Sequence, residues 1–127
     1  MSKYVLDASA LLVLLNREPG HEKVAGLLEE SAISAVNLAE VASKLADAGL
    51  PAANIRRDLQ ALGLEVVPFD ETAAYEAAAL RPATRKAGLS LGDRACLGAS
   101  ASLNAIAVTA DRSWSKLPLP VKVQILR

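Results

Sequence analysis

Four acidic residues, Asp7, Glu40, Asp93 and Asp111, stand where their side chains could act together. Asp7 closes an apolar run at residues 4–6, and Asp111 lies two residues beyond a second apolar run at 105–109. Glu40 follows Asn37 by about one helical turn on a stretch otherwise rich in Ala, Val and Leu. Asp93 falls in the first turn of an expected helix, where free backbone amides also gather. Four carboxylates brought close repel one another and raise each other's pKa, so such a cluster is stable mainly when divalent cations neutralise it. Oxygen-only ligands suit Mg²⁺ or Mn²⁺ better than zinc. A cation so held lowers the pKa of a coordinated water, orients it for in-line attack on a phosphodiester and offsets charge in the transition state.

Each acid also has a purely structural explanation. Asp7 could cap a helix, and Glu40 could pair with Lys44 four residues on. Asp93 with Ser90 spells a capping box, and Asp111 could be a turn residue. Only the joint pattern carries the catalytic reading.

The distribution of charge favours that pattern. The chain of 127 residues has 14 basic and 14 acidic side chains and no net charge, which by itself argues against a nucleic-acid partner. Residues 1–80 hold six basic and twelve acidic side chains, a balance of −6; residues 81–127 hold eight basic and two acidic, a balance of +6. Those two acids are Asp93 and Asp111. Retained in a segment otherwise cleared of negative charge, they mark positions where a carboxylate is required.

The elements that must position these groups can be read from periodicity and punctuation. Residues 3–7 form a buried strand ending in Asp7, and Ser9 is the expected N-cap of a helix over 10–16. Pro19-Gly20 breaks the chain before a helix over 21–30. Residues 32–34 make a minimal strand, and 35–48 a strong helix closed by Gly49 with Pro51 beyond it. Pro51 opens a helix to Leu62, residues 64–68 are β-rich, and Asp70 caps an Ala-rich helix over 71–80. Residues 82–89 read as a basic loop or frayed helix end. Ser90 begins a helix to Leu103, 105–109 is a buried strand, 110–115 a turn, and 121–126 a last alternating strand. With 25 alanines against four aromatic residues, helix should dominate.

Strands alternating with helices predict one α/β domain over residues 1–127: a mostly parallel sheet covered by helices on both faces. Ligands in such folds bind at the carboxyl ends of strands, near a switch in strand order, where Asp7 and Asp111 fall. Cys96 is the only cysteine, so an intrachain disulfide and a Cys-rich metal framework are excluded and a reducing cytoplasm is expected. Asp7 interrupts the only stretch that could pass for a signal peptide, and no apolar run approaches the roughly 20 residues of a membrane span.

Taken together, Asp7-Ala-Ser9-Ala10, Asn37-Leu-Ala-Glu40-Val41, Leu89-Ser-Leu-Gly-Asp93-Arg94 and Val108-Thr109-Ala-Asp111-Arg112-Ser-Trp114 resemble the PIN-domain family, and most closely the VapC-type toxins of bacterial toxin–antitoxin pairs. The resemblance covers essentially the whole chain. It implies a doubly wound α/β/α sandwich and a Mg²⁺-dependent endoribonuclease, with Mn²⁺ as substitute, leaving 5′-phosphate and 3′-hydroxyl ends. It also implies a homodimer restrained by a small cognate antitoxin. The four matching acids would line the metal site, with Ser9 and Thr109 supplying supporting hydroxyls and Asn37 an orienting amide. The basic side chains Arg85, Lys86, Arg94, Arg112 and Lys116 would hold the RNA backbone beside the acids. Two other readings stay open: a doubly wound phosphatase with Asp7 as nucleophile, and a non-catalytic interaction domain. The phosphatase would want a second aspartate where Ser9 stands and a lysine soon after Thr109.

Overall fold

The computed structural model describes residues 2–127. Its five strands are β1 (Tyr4–Leu6), β2 (Ser31–Ser34), β3 (Glu65–Val67), β4 (Ile106–Thr109) and β5 (Val123–Ile125). They form one sheet in the order β3-β2-β1-β4-β5, parallel at every junction. The chain winds outward from β1 through β2 to β3, then returns to the other side of β1 for β4 and β5. The strand order therefore reverses between β1 and β4, and a crevice opens beyond their carboxyl ends.

Alternation along the strands sorts the core into two faces. Val5 pairs in register with Ala32 and Ala107, and Leu6 with Ile33 and Val108. The first row packs under α7 (Leu91–Leu103), where Cys96, Leu97 and Ala99 meet it. Ala32 and Ala107 are small, so α7 approaches the sheet closely, with α5 (Glu71–Ala79) and α6 (Arg81–Thr84) on the same side of the chain's return. The second row faces α1 (Ala8–Leu15) and α2 (His21–Leu27), and through Ile33 also α3 (Ala35–Asp47) and α4 (Ala52–Gln60). This is the expected α/β/α sandwich. No helix among the described residues is long and apolar enough to cross a membrane.

Most element ends follow the punctuation. Gly49, at φ 96°, terminates α3 in a Schellman turn, with Leu50 N–H donating to Leu45 and Gly49 N–H to Ala46. Ser90 and Asp93 form the capping box of α7. Some ends differ. The cap of α1 is Asp7, not Ser9: the helix starts one residue after the strand, and the Asp7 carboxylate accepts from Ala10 N–H at 2.8 Å. Segment 82–89 is in part helical, because Pro82 sits in the first turn of α6 where its missing N–H costs nothing and Thr84 bonds back to Leu80 at 2.7 Å. The second helix stops at Leu27 and finishes as a 3₁₀ turn over Leu28–Glu30, while the expected turn at 110–115 is a 3₁₀ helix over Arg112–Lys116. The last strand is confined to Val123–Ile125 between prolines and the chain end.

Leu97 is fully buried at the centre of the α7 face. Leu97→Ala is expected to lower unfolding free energy by about 2–5 kcal/mol in urea titrations, whereas Tyr75→Ala, at a side chain 70% exposed, should stay within about 0.5 kcal/mol.

Candidate active site

Asp7 emerges from β1 at the reversal point and is only 4% exposed. Its backbone N–H donates to Val108 on β4, so the residue is fixed between the two central strands. Both carboxylate oxygens are engaged. Oδ1 accepts from Ala10 N–H at 2.8 Å and from Ser9 Oγ at 2.7 Å; Oδ2 accepts from Thr109 Oγ1 at 2.5 Å. Thr109 Oγ1 in turn accepts from Asp111 N–H at 3.0 Å, and Ser9 Oγ from Ala110 N–H at 3.0 Å. Ser9 and Thr109 thus form a hydroxyl bracket joining the ends of β1 and β4.

Burial raises the Asp7 pKa to about 6 against the opposing pull of the Thr109, Ser9 and Ala10 hydrogen bonds, and the charge of Asp93 adds to the rise. Beneath lies Cys96, whose thiol is pushed well up by burial and further by the negative charges of Asp7, Asp93 and Glu40. Buried in this way, Cys96 is an unreactive packing residue.

The other three acids are more exposed, and each is held by local donors. Asp93 Oδ2 accepts from Ser90 N–H at 2.9 Å. Glu40 Oε1 accepts from Asn37 Nδ2 at 2.9 Å, and the same amide donates to the Gly92 carbonyl at 3.1 Å, tying α3 to α7. Asp111 Oδ1 accepts from Ser113 N–H and Oγ at 2.9 and 2.8 Å and caps the following 3₁₀ helix. The capping explanations for Asp7 and Asp93 are thus true as geometry, and Asp111, expected as a turn residue, caps a 3₁₀ helix. Among the described residues none of the four acids enters a salt bridge, so Glu40 is not paired with Lys44. Nor, among those residues, do three His, Cys, Asp or Glu side chains converge in a ready metal-ligating group.

Of the basic residues, Arg85, Lys86 and Lys116 are exposed. Arg94 instead turns onto α5, donating to the Ala77 carbonyl at 3.0 Å, and Arg112 Nε donates to the Arg127 carbonyl at 2.8 Å. Sequence reasoning missed Gly92. A methyl group there would lie 2.6 Å from Glu40 Oε2 and 2.7 Å from its Cδ. The available signal was a glycine inside the first turn of a helix, where glycine is disfavoured.

Since Asp7 is raised from 3.8 to about 6 on folding, the folded chain binds more protons than the unfolded chain between those values. The contribution of this group to stability is neutral below pH 3.8, falls as pH rises through 4–6, and reaches a cost of about 3 kcal/mol above that window. In denaturant titrations of the metal-free protein at pH 4.5 and 7, Asp7→Asn should remove that part of the decline.

Comparisons with known proteins agree with this architecture. Among curated proteins no relative matches. The chain is similar in structure to DNA-bound VapBC from Salmonella typhimurium, at 20% identity over 100% of both chains with a TM-score of 0.75. It is similar also to VapBC2 from Rickettsia felis bound to a promoter DNA fragment, at 18% identity over 96% of this chain and 97% of that one, TM-score 0.73. VapBC-1 from nontypeable Haemophilus influenzae aligns at 21% identity over 97% of each chain, TM-score 0.73. The family model of the PIN domain matches residues 4–119, a span that contains four of the five strands and the positions of all four acids, and the chain belongs to the PIN domain family.

Proposed function

We propose that this chain is a divalent-metal-dependent endoribonuclease acting as the VapC-type toxin of a toxin–antitoxin pair. The observation that carries the reading is Asp7: a carboxylate 4% exposed, without a cationic partner among the described residues, held at the strand-order reversal by three donors. Membership of a family whose members are generally nucleases supports it.

The residues fit a hard divalent cation. The donors are all oxygens, Asp7 is desolvated, and Asn37 Oδ1 is a buried acceptor with no partner among the described residues. Asp7, Glu40, Asp93 and Asp111 would hold Mg²⁺, or Mn²⁺ in its place. When bound, the cation neutralises the acids and acidifies water for attack on a phosphodiester. The chain's own contribution is positional. Ser9 and Thr109 lock the Asp7 carboxylate in one orientation, so no reorganisation is needed when charge develops nearby. Arg85, Lys86 and Lys116 are free to bind RNA phosphates; Arg94 and Arg112 would first have to leave carbonyl partners.

The phosphatase reading fits less well, because Ser9 stands where such a site wants a second aspartate and no lysine lies soon after Thr109. The likeness to VapBC complexes supports a small antitoxin as partner. An apolar cavity of about 770 Å³ between α3, α4 and β3, lined by Leu38, Ile55, Leu59 and Val66 among others, offers such a partner an apolar surface. Homodimerisation and residence in the cytoplasm belong to the same proposal.

Asp7→Asn and Asp111→Asn should each abolish Mg²⁺-dependent RNA cleavage without unfolding the chain: Asp111→Asn should melt near the wild type, and metal-free Asp7→Asn at neutral pH no lower than it. Full cleavage by both variants would refute the metal-site reading. Co-expression with the product of the adjacent reading frame should suppress cleavage by the wild-type chain.

A further inference from the structure

Gly92 differs from the turn glycines in what its missing side chain makes room for. A Cβ added at Gly49, Gly63 or Gly88 would meet nothing within 4 Å, and those residues are glycines because φ is positive. Gly92 lies inside α7 with no such backbone demand, and its φ is not positive. The place of its Cβ is taken by the Glu40 carboxylate.

The second half of the arrangement is Asn37, 1% exposed and one turn before Glu40 on α3. Its two amide hydrogens go to two acceptors, Glu40 Oε1 and the Gly92 carbonyl. Because both partners can only accept, the orientation of the amide is determined. Glu40 itself is an exposed residue on a helix surface, where a glutamate ordinarily samples several rotamers. Here one oxygen is drawn down by Asn37, and the carboxylate lies flat against α7 where a side chain would otherwise be.

We infer that Gly92 and Asn37 form a seat that positions the Glu40 carboxylate at the mouth of the cleft. Both are positioning residues: they act on the bound cation through Glu40. The inference rests on the reading of the four acids as a cation site.

Gly92→Ala tests it without threatening the fold. The obstructing group is the far end of a flexible side chain, which can swing into solvent, and alanine is the better helix former. The thermal midpoint of metal-free Gly92→Ala should equal or exceed that of the wild type. In that metal-free protein the Asn37 side-chain amide and Glu40 carboxyl NMR resonances should move as Glu40 leaves its seat, and Mn²⁺ affinity measured by calorimetry should fall about tenfold. In a Glu40→Gln background, Gly92→Ala should weaken Mn²⁺ binding no further, since the group it displaces no longer ligates. Unmoved resonances, wild-type Mn²⁺ affinity in Gly92→Ala, or an undiminished loss in the Glu40→Gln background would overturn the seat. If the wild type binds no Mn²⁺, or Asp7→Asn binds it equally well, the cation-site reading fails instead, and the metal-free resonances still decide whether the seat exists.

Discussion

The hydrogen bond from Thr109 Oγ1 to Asp7 Oδ2 joins residues 102 positions apart and holds an ionisable group in a nearly dry location. Burying a carboxylate is costly unless hydrogen bonds or charges compensate. Here the compensation comes from two hydroxyls and one amide, and it is incomplete, as the raised pKa of Asp7 shows. Everything that holds β1 beside β4 therefore also holds this carboxylate in place. The register of Leu6 with Val108, the Asp7 N–H bond to Val108 and the Ser9 bond to Ala110 N–H all serve that end.

The neighbouring elements follow from the same constraint. The small residues Ala32 and Ala107 on one sheet face let α7 settle close, which brings Asp93 near enough to Asp7 for its charge to be felt. On the other side of the crevice α3 begins directly after β2, with Ser34 as its cap, and so delivers Asn37 and Glu40 to the first turn of α7. The acids are thereby graded. Asp7 is buried and held by three donors, Glu40 is exposed but bonded by Asn37, and Asp93, half-buried, and Asp111, exposed, double as helix caps. A cap residue is already desolvated in part and fixed in direction, so structural and catalytic roles are compatible in one side chain.

Much of this was legible in the sequence, for identifiable reasons. Parallel strands buried on both faces read as short apolar runs, and Gly49, Pro51, Asp70 and Ser90 mark helix ends through local chemistry that tertiary packing did not override. The charge asymmetry singled out Asp93 and Asp111. Local signals were weaker where two capping residues competed, as with Asp7 and Ser9, or where a short helix was cut from a basic segment, as with Arg81–Thr84.

What the sequence alone determined is the inventory: an α/β chain, its element order, three acids at strand or helix ends and a fourth, Glu40, within a helix, because each of these depends on residues close together along the chain. The tertiary structure decided the strand order, the hydroxyl bracket of Ser9 and Thr109 around Asp7, the turning of Arg94 onto α5, and the contact of Glu40 with Gly92. Those depend on pairings between residues distant in sequence, set by which face each strand presents and how closely α7 can approach it. No local periodicity encodes such distances, so the acids could be named from the sequence while their unequal burial and support could not.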